Sequence, residues 1–208
     1  IERKMTNINN IAKSSKSISE FATQYMDYLH KIFQSIDKEQ LEKLLKELDS
    51  ARKNGNTIFL IGNGGSATTA TSMANDLGFD ILKKTKTNNP FRFMALTDSN
   101  SVITAISNDL NYSGIFVNQL KIHFRKGDKL IAISASGNSE NLIKAVNWVK
   151  KKKGKIISFL GFDGGKLLKL SDVAIHIKSS NGDYGPVEDA HLAINHILAH
   201  WFQAHIKS

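Results

Sequence analysis

Two turns in this chain carry residues suited to holding an anion. Gly62-Asn63-Gly64-Gly65-Ser66 follows the apolar run IFLI, and Ser134-Ala135-Ser136-Gly137-Asn138-Ser139 follows the apolar run LIAI. Glycines let backbone amides crowd inward with no Cβ in the way. The helical pattern after each turn adds unpaired N–H groups and the positive end of a helix dipole. The second turn brings three hydroxyls, although Ser139 also stands where a purely structural N-cap would be. Gly62, Gly64 and Ala67 satisfy a loose dinucleotide pattern, GxGxxA. That pattern wants an acidic residue closing the second strand about twenty residues on, and here the second strand ends only near Asp98. No GKS or GKT follows, so a P-loop is excluded. Two hydroxyl-rich turns after two strands point instead to a phosphorylated small molecule.

The elements that must position these turns are legible from the hydrophobic pattern. Short apolar runs at Thr57–Ile61, Arg92–Leu96, Lys129–Ile133, Lys155–Phe159 and Val173–Ile177 read as strands. Helical periodicity marks Ser17–Ser35, Asp37–Asn54, Ser66–Phe79, Ser99–Ser107, Ser113–Arg125, Ser139–Lys152 and Val187–Ile206. Leu41, Leu44, Leu45 and Leu48 are the plainest stripe, and Asn54-Gly55-Asn56 stops their helix. Pro186 suits the start of the last helix. Lys83–Pro90 and Ser179–Pro186 read as polar loops. Runs apolar on both faces and separated by helices predict an α/β fold: a three-layer αβα sandwich around a mostly parallel five-stranded sheet. No linker divides the chain, so 1–208 reads as a single domain.

The chain has 208 residues, a net charge of +9 and no cysteine. Thiol chemistry, disulfides and zinc–thiolate sites are thereby excluded. No apolar run is long enough for a membrane span and no signal-peptide pattern is visible, so a cytoplasmic location is expected. The basic excess suits an anionic partner. Its densest run, Lys150–Lys153, ends a helix, where cations favour the dipole, so the lysines read as solvated surface rather than a nucleic-acid face. The chain opens on Ile1, and Met5 is the candidate native start.

GNGGSA, the LTD of Leu96–Asp98, ISASGNS and the tail GPVEDAHLAINHIL, in this order, resemble the sugar isomerase (SIS) fold and, within it, the phosphoheptose isomerases. The resemblance implies interconversion of sedoheptulose 7-phosphate with a heptose 7-phosphate, supplying heptose for a surface polysaccharide. It implies a homotetramer with residues 5–54 packed between subunits. It implies phosphate binding by Ser66, Ser134, Ser136 and Ser139, with Asn63, Gly64 and Asp98 lining the sugar site. Threonine is usual in the family where Ala135 stands.

The family pattern also carries His and Glu four apart after GNGGS, then Gln and His eight apart near the end. Here these positions are Ser72, Asp76, Glu188 and His196. Ser72 is a poor zinc ligand, being neither imidazole nor charged. Asp76, Glu188 and His196 remain as a candidate set for a divalent metal, zinc in the family. Along one continuous helix Glu188 and His196 would stand ~12 Å apart; they share a site only if Glu188 precedes the helix or different subunits contribute. An aldose–ketose isomerase needs a base beside the carbonyl and an acid for its oxygens. The resemblance places Asp76 as base and His196 as acid, with Glu188 touching substrate. His191 reads as packing, and His200 and His205 as surface. The main alternative is a non-catalytic phosphosugar-binding protein, or a regulator that binds the replication initiator DnaA, on the same scaffold. A further one is an isomerase of another sugar phosphate, with Glu188 reading a different hydroxyl.

Overall fold

The computed structural model describes residues 7–207, which leaves Met5 outside the described residues. Five strands form one parallel sheet: β1 (Thr57–Gly62), β2 (Arg92–Ala95), β3 (Lys129–Ser134), β4 (Lys155–Leu160) and β5 (Val173–His176), in the order β2-β1-β3-β4-β5. The register pairs Leu60 with Ile131 and Ile131 with Ile157 across the middle. All five strands lie within a residue or so of their expected positions. The order reverses direction between β1 and β3, the point where open parallel sheets leave a crevice at the strands' carboxyl ends. Both anion-suited turns open there.

Alternation along each strand splits the core in two. Ile58, Leu60, Ile131, Ile133, Ile157 and Phe159 face one side, which α3 (Lys38–Lys53), α4 (Gly65–Ala74), α5 (Ile81–Thr85) and α10 (Tyr184–His205) cover. Phe59, Ile61, Leu130, Ala132, Ile156 and Leu160 face the other, against α7 (Ile115–His123), α8 (Glu140–Lys151) and α9 (Gly165–Leu170). These strand side chains are almost wholly excluded from water. Each buried Ile, Leu or Phe among them stabilises the fold by about 1.5–3 kcal/mol, before conformational entropy is charged against it.

Several boundaries differ from the sequence reading. The short α1 (Asn7–Ser14) and α9 were not expected, because each is under three turns and half polar. The helix expected at Ser66–Phe79 continues through a π-helical segment, Asn75–Asp80, into α5. The expected loop at Lys83–Pro90 is therefore helical in its first three residues. The last helix begins three residues before Val187. α6 (Asn100–Asp109) and α2 (Ile18–Gln34) match expectation closely. α2 is tied to α10 by polar bonds: Tyr25 donates to Asp189 at 2.6 Å and Tyr28 to the buried Asp183 at 2.9 Å. Among the described residues, no helix is long and apolar enough to cross a membrane.

Candidate functional site

The turn after β1 enters α4 without a side-chain cap, because Gly64 has none to offer. The turn after β3 enters α8 with Ser139 at the N-cap position, yet its hydroxyl makes no capping bond. The two turns meet in a cleft of about 140 Å³ lined by Asn63, Ser66, Ser134, Ser136, Ser139, Tyr184 and Glu188 among others. Six of the residues expected from sequence to touch substrate are thus brought together. Gly64 is the N-cap of α4 and is not among the residues that line the cleft. Asp98 does not line it; this residue accepts from Thr71 at 2.6 Å and so is tied to the outer flank of α4.

The hydroxyls of the cleft differ in what they do. Ser134 accepts from the amide of Gly137 at 3.1 Å, and Ser136 from that of Asn138 at 3.3 Å, so these two hold the turn and keep their O–H donors free. Ser66 is 5% exposed, and neither its hydroxyl nor that of Ser139 has a partner among the described residues. Both residues line the cleft, Ser139 being half-buried, so these hydroxyls are available to donate to a ligand oxygen. Gly137 makes the turn possible: it lies at φ +62°, and a Cβ there would collide with the carbonyl of Gly164.

Asn63 is held as well as placed. Its amide forms a mutual pair with Asn141, at 2.8 and 3.0 Å, and its oxygen also accepts from Tyr112 at 2.9 Å. Asn141 and Tyr112 were not singled out from sequence. An asparagine at the second residue of an amphipathic helix is an ordinary surface choice, and only the fold brings it to Asn63.

Glu188 sits on α10 with its carboxylate over Gly65, where any Cβ would overlap its oxygens. It therefore faces the positive end of α4. Burial, and then the neighbouring charge of Asp189, push its pKa above the usual carboxylate range. Across from it, burial and then the bond to Asp189 raise the Tyr25 phenol.

Further along the same two helical elements lies a second cluster. Asp76, in the π-helical segment, has its Oδ2 3.7 Å from Nε2 of His196. Its Oδ1 accepts from Asn75 at 3.0 Å, and its Oδ2 from Asn195 at 2.6 Å. Ser72, one turn earlier, is half-buried. The three-residue metal set does not assemble within this chain. Glu188 is the fifth residue of a continuous α10, so it stands about 12 Å along the axis from His196. Among the described residues no group of three His, Asp or Glu side chains lies close enough to hold an ion. One imidazole and one carboxylate, with a neutral hydroxyl where a third donor would be, do not fit zinc.

His191, one turn before Asn195, is wholly buried and packs edge-on against Phe159 at 5.7 Å. Burial takes its pKa from the ordinary 6.5 to about 4. It is part of the core, as read from sequence. His200 is exposed, and His205 stacks on Trp201 at the surface.

Comparison with known proteins agrees with this architecture. The SIS domain family model matches residues 20–161. The chain is 37% identical to a phosphoheptose isomerase of Rhodospirillum rubrum, over 72% of this chain and 76% of that one. It is 40% identical to a phosphoheptose isomerase of a Nitratiruptor species, over 71% and 76%. In fold it is similar to the phosphoheptose isomerase of Neisseria gonorrhoeae, with a TM-score of 0.79 at 24% identity, covering 90% of this chain and all of that one. A parallel five-stranded αβα sandwich, two serine-bearing turns at the strand ends and relatives at this level of identity together place the chain in the SIS-domain family of phosphoheptose isomerases.

Proposed function

We propose that the protein is an aldose–ketose isomerase that interconverts sedoheptulose 7-phosphate and D-glycero-D-manno-heptose 7-phosphate. The carrying observation is the pair of unpartnered hydroxyls, Ser66 and Ser139, in a cleft ringed by serines and two helix starts. A phosphate dianion supplies the acceptors these donors lack, and neutral donors hold it without a buried counter-charge. With the phosphate there, the sugar extends past Glu188 toward Asp76 and His196.

Isomerisation then needs one proton moved between neighbouring carbons. The Asp76 carboxylate takes the proton from C1 of the ketose, leaving an enediolate. His196 serves the O1 and O2 oxygens, so that the carbonyl shifts from C2 to C1. The protonated Asp76 returns its proton to C2, which completes the aldose. Because the donor set does not fit zinc, no step is routed through a metal. The oxygens are served by the imidazole of His196.

The wider setting follows from the same reading. The N-terminal helices and α10 present exposed apolar side chains (Ile18 and Met26 on α2, Ile197 and Trp201 on α10), which fits a homotetramer with residues 5–54 packed between subunits. A phosphorylated heptose is a cytoplasmic metabolite and a precursor of surface polysaccharide.

The test is turnover of sedoheptulose 7-phosphate followed by NMR, with and without added Zn²⁺, beside Asp76→Asn. Product formed by the native chain and abolished in the variant supports the reading. Binding of the sugar phosphate without turnover in either condition assigns the protein to the non-catalytic phosphosugar-binding class.

A further inference from the structure

α10 buries a regular stripe: Val187, Ala190, His191, Ile194, Asn195, Leu198, Ala199 and Phe202. Two of its members are polar. An amide in the middle of such a stripe costs free energy unless its groups are bonded, and a leucine there would not bear that cost. Asn195 is 0% exposed, and its Oδ1 has no partner among the described residues. Its one side-chain hydrogen bond among the described residues is the 2.6 Å bond from Nδ2 to Oδ2 of Asp76, between residues 119 apart in sequence.

The geometry at Asp76 shows what this contact does. The carboxylate is a fifth exposed, so an untethered side chain would sample several rotamers. Asn75 holds Oδ1 and Asn195 holds Oδ2. Two amides on two oxygens set both the torsion and the plane of the carboxylate. The Asn195 amide approaches from the interior, while His196, the next residue, approaches the same oxygen from the solvent side at 3.7 Å. That distance is beyond a hydrogen bond, so the outer lone pair of Oδ2 is free. The π-helical segment contributes too, since its wider turn departs from the α-helical spacing that would otherwise set where Asp76 points.

We propose that Asn195 is a positioning residue for the isomerisation, holding Asp76 from the core so that its outer edge and His196 face the sugar. This rests on the reading of Asp76 as the proton-transfer group. Loss of the amide lets the carboxylate swing, and misplacement of a catalytic group by about 1 Å costs on the order of 100-fold in rate.

The experiment compares the native chain, Asn195→Leu and Asn195→Asp in sedoheptulose 7-phosphate turnover, with Tm measured on each. Asn195→Leu keeps the branched shape with a somewhat larger volume and removes both the donor and the orphaned oxygen. It is expected to lower kcat by roughly 10- to 100-fold with KM and Tm little changed. Asn195→Asp keeps the shape and cannot donate when ionised. Its activity relative to the native chain is expected to recover as pH falls, because the new carboxyl, once protonated, donates to Asp76. A purely structural asparagine would show neither the kcat–KM split nor that recovery. Full kcat in Asn195→Leu from an active native chain overturns the positioning role and leaves the isomerase reading standing. So does a kcat loss that tracks a large fall in Tm with no low-pH recovery in Asn195→Asp. A native chain that binds the sugar phosphate and does not turn it over overturns both.

Discussion

In the serine cleft the hydroxyls of Ser66, Ser134, Ser136 and Ser139 come from two turns at strand ends, they are neutral, and those of Ser66 and Ser139 have no partner among the described residues. In the Asp76–His196 cluster the polar groups come from the flanks of two helical elements, they are ionisable, and the carboxylate is held at both oxygens. The first arrangement suits a ligand whose charge is fixed and whose oxygens accept from many directions. The second suits a group that must meet one atom at one angle. Binding and proton transfer are thus assigned to different kinds of backbone: pliable glycine turns for the one, packed helices for the other. Glu188 stands between them, its carboxylate over the start of α4.

Breaking the second region is expected to have the largest effect. Asp76→Asn should lower turnover by about 10²- to 10⁴-fold while leaving sugar-phosphate affinity nearly unchanged, as measured by NMR turnover and calorimetry. Equal losses in both would merge the two regions into one.

The core beneath the helix cluster gives the next effect, and it is set by pH. His191 titrates near 6.5 when unfolded and near 4 in the fold. Between those values the unfolded chain binds a proton that the folded chain does not. Its contribution is therefore neutral above about pH 6.5, and stability falls as the pH drops toward 4, by about 3 kcal/mol in all. Denaturant unfolding at pH 7 and pH 4.5 reads this slope, and His191→Leu should lack it.

On the loop side, Gly137→Ala forces a side chain into positive φ and against the Gly164 carbonyl. It should cost roughly 2 kcal/mol and lower Tm by roughly 4–8 °C. An unchanged Tm would show that the turn relaxes without cost.

The smallest effect sharpens the contrast. Ser139→Ala removes one uncommitted donor and should weaken sugar-phosphate binding by about tenfold, with Tm unaltered, because the hydroxyl caps nothing. A clear loss of Tm would return Ser139 to a structural role.

Much of this molecule was readable before folding. Strands such as IFLI and LIAI are apolar on both faces, so their burial is a local property. The glycine-serine turns likewise advertise themselves, since no other residues allow such close backbone approach. The misses have physical reasons. GKLLKL is too short to show a period. The π-helical segment at Asn75–Asp80 packs against α10, a contact that no local pattern encodes. Glu188 and His196 look like one constellation in a motif, yet a continuous helix keeps them two turns apart.

By itself the sequence determined the α/β class, the strand positions, the two anion-suited turns and the absence of thiol chemistry, because each depends on residue type and short-range spacing. Only the tertiary structure decided that Asn63 is locked to Asn141, that Glu188 lies over Gly65, that Asp76 is gripped by Asn195, and that no three-residue metal set forms among the described residues. Those are contacts between residues scores of positions apart. They depend on how the helices pack across the sheet, and a sequence records only the residues that make that packing possible.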